Sequence, residues 1–135
     1  MKQKFIDLYM DLAVRISQES YATRLKVGAI AVKDNKIIGQ GYNGTPPGWD
    51  NICEDDNNVT KPEVIHAEQN LVCSVARSNE STVGATIFTT TAPCEQCAKL
   101  IIASGFKDVY YKDLYRSDIG LKILEQANIK IIKVD

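Results

Sequence analysis

The second half of the chain alternates strand-like and helix-like segments, and this alternation constrains the fold more than any other feature. Residues 84–90 (Gly-Ala-Thr-Ile-Phe-Thr-Thr), 107–112 (Lys-Asp-Val-Tyr-Tyr-Lys) and 129–134 (Ile-Lys-Ile-Ile-Lys-Val) are short runs rich in β-branched and aromatic residues, which predicts strands. Between them, 94–104 and 118–127 read as helices. Gly105 stands where a left-handed cap would end the first, and Ser117 or Asp118 where the second would be capped. Strands joined through helices in this way run parallel, with right-handed crossovers.

The first half adds a different pairing. Phe5, Leu8, Leu12 and Ile16 recur at three- and four-residue steps and predict a helix over 2–19. Residues 27–33 and 36–42 flank Asp34-Asn35, a turn pair, and predict an antiparallel hairpin. From Asn43 to Pro62 the apolar period is lost among glycines, prolines, Asp and Asn; a loop this long is functional or disordered. Helical spacing returns over 65–77. The resulting order, α-β-β-α-β-α-β-α-β, predicts a three-layer α/β/α sandwich. Its mixed five-stranded sheet is antiparallel in the first hairpin and parallel later. With 135 residues, the chain amounts to a single domain, 1–135.

Charge and cysteine content exclude several classes of function. Sixteen Lys and Arg against seventeen Asp and Glu are scattered, with no basic block to track a nucleic acid polymer. No apolar run approaches the ~18 residues of a membrane span, and the start of the chain does not read as a signal peptide. The expected compartment is the reducing cytoplasm, where four cysteines point to metal binding, catalysis or burial rather than disulfides. Cys53 is expected to be a free thiol and Cys73 a buried core residue.

The chemistry concentrates in His66-Ala67-Glu68 and Pro93-Cys94-Glu95-Gln96-Cys97. His66 is the only histidine and stands at a predicted helix start. Cys94 and Cys97 stand three apart at another, where both thiols share a face and unpaired N–H groups favour thiolates. One imidazole and two thiolates make three zinc ligands and leave the fourth tetrahedral position open, as in a catalytic zinc site. Glu68 lies two residues past His66, and positions two apart on a helix point about 200° away from each other. Both can serve one site only if His66 stands at the very start of the helix. Glu68 would then lie beside the metal as a proton carrier. Two other readings are a closed structural site with Cys73 as fourth ligand, which leaves Glu68 without a role, and a redox Cys-x-x-Cys pair, which leaves His66 unexplained.

His-x-Glu followed by Pro-Cys-x-x-Cys resembles the signature of zinc-dependent nucleobase deaminases. Three longer segments resemble deoxycytidylate (dCMP) deaminases: Gly41-Tyr42-Asn43-Gly44-Thr45-Pro46, His66-Ala67-Glu68-Gln69-Asn70 and Ala92-Pro93-Cys94 through Ile102. The resemblance runs from about Leu12 to Val134 and implies a cytidine deaminase-like fold. It also implies hydrolysis of dCMP to dUMP and ammonia, which supplies thymidylate synthesis. His66, Cys94 and Cys97 would bind zinc, and Glu68 would shuttle protons. Asn43 and Ala67 would contact the nucleoside, Arg24 and Lys26 would hold the 5′-phosphate, and Tyr115 would stack on the base. Relatives are often hexamers, activated by dCTP with Mg2+ and inhibited by dTTP. Gly41, Tyr42, Gly44, Pro46 and Arg116 match the segments that respond to these effectors, with Gly41 and Gly44 allowing close approach of the backbone to a ligand. Some relatives carry a second zinc in the long insertion; here that insertion has no histidine, so one zinc per chain is expected. A deaminase acting on cytidine or a tRNA adenosine, and a silent nucleotide sensor, are the alternatives.

Overall fold

Asp34 and Asn35 both adopt left-handed backbone conformations (φ 51° and 61°), as a two-residue hairpin turn matched to strand twist requires. In the computed structural model, which describes residues 1–135, they join β1 (Gly28–Lys33) to β2 (Lys36–Tyr42) as an antiparallel pair. The other elements are α1 (Gln3–Ser17), α2 (Ala67–Ala76), β3 (Thr86–Thr91), α3 (Glu95–Ala103), β4 (Asp108–Asp113), α4 (Ile119–Gln126) and β5 (Lys130–Lys133). The strand order is β2-β1-β3-β4-β5. β1 pairs antiparallel with β3, and β3–β4 and β4–β5 are parallel, so the mixed sheet expected from the sequence is the one formed.

Alternation along the strands separates two cores. Ala29, Ala31, Ile87 and Val109 face Leu71 and Val75 of α2, Ala98 and Ile101 of α3, and Leu124 of α4. Ile30, Val32, Phe88 and Tyr110 face Tyr9, Met10 and Ala13 of α1. Phe88 is fully buried, stacked on Tyr110 (centroids 4.6 Å apart) and tilted against Tyr9 (5.4 Å). Such aromatic pairs add about 0.5–1.5 kcal/mol each beyond their buried area. The two cores make the three layers: α1 on one face, α2, α3 and α4 on the other. No helix is long and apolar enough to cross a membrane.

Local expectations shift in three places. β3 begins at Thr86 rather than residue 84, because Gly84 (φ 78°) is still in the turn, and it runs on to Thr91 with all six residues buried. Cys73 is exposed rather than buried in the core. The buried apolar positions of α2 are Ala67, Leu71 and Val75, at four-residue steps with Glu68 buried beside them, so Cys73 projects from the opposite side. The close approach that Gly41 allows is made by α2. A Cβ there would run into the backbone of α2, meeting the Ala67 carbonyl, the Leu71 nitrogen at 2.5 Å and the Asn70 carbonyl carbon at 3.0 Å. The missing side chain lets α2 lie directly on β2. Gly41→Ala is therefore expected to destabilise the protein by about 1–3 kcal/mol, read as a lower urea midpoint, since rigid main chain rather than a pliable side chain must give way.

Candidate metal centre and substrate cavity

Two helix starts converge at the carboxyl end of β3. His66 is the N-cap of α2, with extended backbone (φ −70°, ψ 155°), and its N–H donates to Gln69 Oε1 at 2.8 Å. Asn70 Nδ2 donates to the Tyr42 carbonyl at 2.8 Å and ties this helix start to the end of β2. Cys94 is the N-cap of α3, placed by buried Pro93 and by the Ala92 N–H, which donates to the Asp113 carbonyl at 2.8 Å. Because His66 stands just before the helix, its side chain is free of the helical rotation that would set it against Glu68. The condition that the sequence imposed on this pair is met.

His66 Nδ1 lies 3.2 Å from Cys97 Sγ and 3.5 Å from Cys94 Sγ, and the three donor atoms all lie within 4.8 Å of one another. A tetrahedral zinc with ordinary Zn–S and Zn–N bonds has N···S edges of about 3.6 Å, so the trio fits one face of such a site. The cluster comprises these three residues and not Cys73, which leaves the closed four-ligand reading without its fourth ligand. Helix N-termini add positive potential from two sides.

The charges of the trio suit a cation. A hydrogen bond from the Cys97 thiol, helped by His66, brings Cys94 down to about 4 against the opposing effect of burial. Cys97, which gives that bond to Cys94, is pushed well up. The hydrogen bond to Cys94 also raises His66, against burial. These groups share protons that a bound dication would displace. Glu68 is 4% exposed, and burial pushes its carboxyl up to about 7, against the pull of its own backbone amide and of His66.

His66, Glu68 and Cys94 open onto a cavity of about 760 Å³, within the size range of small-molecule sites. Arg24, Asn43, Ala67, Tyr115 and Arg116 also line it, and Cys97 lies buried behind. The Arg116 guanidinium sits 5.2 Å over the Tyr115 ring. Lys26 and Tyr42 are exposed and outside the lining, and half-buried Gly44 and Pro46 are outside it too. Asn43 meets the chain as well as the cavity. Its Oδ1 accepts the Val27 N–H and its Nδ2 donates to the Leu25 carbonyl, both at 2.8 Å.

The long loop after β2 is built rather than loose. Bridges pair Gly44 with Ile65 and Glu54 with Thr60, and Cys53 is a free thiol, 1% exposed, at the cavity wall. Glu54 and Thr60 also line the cavity, and sequence reasoning missed them. Their partners lie about thirty residues away in a segment without periodicity, so no local pattern marks them.

Comparison with known proteins gives a consistent result. Residues 3–113 match the model of the cytidine and deoxycytidylate deaminase zinc-binding region. The chain is 34% identical over 126 residues to ComE operon protein 2 of Bacillus subtilis, covering 89% of this chain and 66% of that protein. It is 31% identical over 168 residues to the deoxycytidylate deaminase of Enterobacteria phage T4, covering 93% of this chain and 87% of that protein. The crystal structure of dCMP deaminase from cyanophage S-TIM5, in complex with dCMP and dUMP, superposes with a TM-score of 0.97 at 42% identity, covering 99% of both chains.

Proposed function

Because this chain belongs to the cytidine and deoxycytidylate deaminase zinc-binding family, we propose that it hydrolyses dCMP to dUMP and ammonia, with one zinc held by His66, Cys94 and Cys97. The observation that carries this reading is the end-to-end match to a phage enzyme solved with both dCMP and dUMP. Zinc bound to an imidazole and two thiolates supplies Lewis acidity toward a water molecule.

The chain's own residues do the rest. Glu68, buried beside the ligands, takes a proton from the attacking water and passes it to the ring nitrogen next to the amino-bearing carbon. The water oxygen stays on that carbon. Glu68 then relays the second proton to the departing amine, the C–N bond breaks and ammonia leaves. Ala67 and Asn43 border the nucleoside, Tyr115 offers a face to the pyrimidine, and Arg24 takes the 5′-phosphate, with Lys26 adding positive charge from outside the wall.

The regulatory part of the reading rests on family resemblance: a cytoplasmic hexamer activated by dCTP with Mg2+ and inhibited by dTTP. Tyr42, Gly44 and Pro46, with Arg116 at the cavity mouth, would meet the effector. Gly41 belongs to the same segment and has α2 packed against its Cα.

The test is elemental analysis of the purified protein together with ammonia release from dCMP, deoxycytidine and a tRNA stem-loop. One zinc per chain and turnover of dCMP well above the other two are expected. Equal turnover of deoxycytidine would remove the phosphate role of Arg24 and Lys26. A hyperbolic rate curve for dCMP, unmoved by dCTP, would remove the regulatory part.

A further inference from the structure

Arg24 lies in an irregular segment between α1 and β1, with no strand or helix to hold it. One short piece of the long loop holds it at both ends. Glu54 Oε2 accepts the Arg24 N–H at 3.3 Å and the Thr23 N–H at 3.1 Å, and Glu54 Oε1 accepts the Thr23 hydroxyl at 3.0 Å. At the other end, Arg24 Nη1 donates to Thr60 Oγ1 at 3.4 Å. Glu54 and Thr60 face each other across an antiparallel bridge. The turn between them is closed by Asp55, whose N–H donates to the Val59 carbonyl at 2.8 Å and whose Oδ1 accepts the Asn57 and Val59 N–H groups at 2.8 and 3.0 Å.

The carboxylate of Glu54 is thus spent on the chain, with little left for an incoming hydroxyl. As a bare charge beside a phosphate-binding arginine it would also be a handicap, since it repels the anion. What it adds is placement: a backbone anchored at residues 23 and 24 and a guanidinium tethered from the same hairpin.

We propose that the 54–60 hairpin, acting through Glu54 and Thr60, is the positioning element for Arg24 and thereby sets the preference for a 5′-phosphorylated nucleotide over the bare nucleoside. This rests on the nucleotide reading given above. Glu54 and Thr60 are positioning residues: they act on the phosphate through Arg24.

The test compares zinc-loaded wild type, Glu54→Gln and Thr60→Val on dCMP and deoxycytidine. Glu54→Gln is expected to lower kcat/KM for dCMP roughly tenfold, through KM, with kcat and the deoxycytidine rate unmoved. Thr60→Val leaves the charge of Glu54 in place and is expected to shift the same parameter in the same direction, by less. A lower KM for dCMP in Glu54→Gln would mean that the carboxylate only repels phosphate, and would overturn the proposal. So would equal losses on both substrates, which mark a general structural role. A wild type that prefers dCMP, with both variants keeping that preference, overturns this inference alone. A wild type with no preference overturns the nucleotide reading and the inference with it.

Discussion

Glu68→Gln is expected to keep zinc and fold while losing ammonia release from dCMP by about 10²–10⁴-fold, the usual weight of a positioned proton carrier. Glu68 lies almost wholly inside the protein yet belongs to none of the four ion pairs, which all join more exposed side chains. Removing its charge therefore breaks no salt bridge. Burying an amide costs less than burying a carboxylate, so the variant should melt no lower than the parent. A side chain held there for stability would give the opposite pattern, with a lower melting temperature and retained turnover. Full activity in the variant would take Glu68 out of the mechanism. The assay is initial ammonia release at saturating dCMP, beside elemental analysis and a thermal melt.

Cys97→Ser is expected to abolish tight zinc binding and, with it, the stability that the metal lends to the native state. A ligand present at 1,000 times its dissociation constant stabilises by about 4 kcal/mol, so a strong chelator should lower the melting temperature of the wild type distinctly and leave that of the variant unchanged. Cys97 is the deepest of the three donors, fully buried in the first turn of α3. Its sulfur lies nearest the His66 ring, so its loss opens the cluster from behind rather than at the cavity mouth. A serine variant that binds one zinc as tightly as the parent would show that Cys97 is not a ligand. Both predictions concern parts of the site that do not depend on which nucleoside is accepted.

The order of elements and the mixed sheet were readable because period and turn chemistry act locally. The apolar run along 27–33 and the Asp34-Asn35 pair suffice for a hairpin, and apolar spacing after residue 65 suffices for the helices between parallel strands. The His66, Cys94 and Cys97 trio was readable for a related reason: His66 and the Cys-x-x-Cys pair each stand at a helix start legible in the local pattern, the second preceded by Pro93. Burial was harder to place. Cys73 lies among apolar neighbours in sequence, yet the buried stripe of α2 runs through Ala67, Leu71 and Val75 and leaves it outside; reading the four-residue step strictly would have shown this. A glycine beside a motif suggests close approach, but the sequence does not say of what at Gly41. The approach is real, but the visitor is α2. Glu54 and Thr60 had no mark at all, since their meaning lies in an arginine some thirty residues upstream, and only the closed fold brings them to it.

Glu68 and the His66, Cys94 and Cys97 cluster lie at the starts of two helices packed against the sheet, whereas the hairpin that holds Arg24 hangs beyond the last residue of β2. Drift in the length or makeup of that hairpin should leave the reacting end undisturbed. If the hairpin governs Arg24 as proposed, a lineage built on this scaffold would exchange one cargo for another by editing that single stretch of the cavity wall, with the helix starts beneath inherited unaltered.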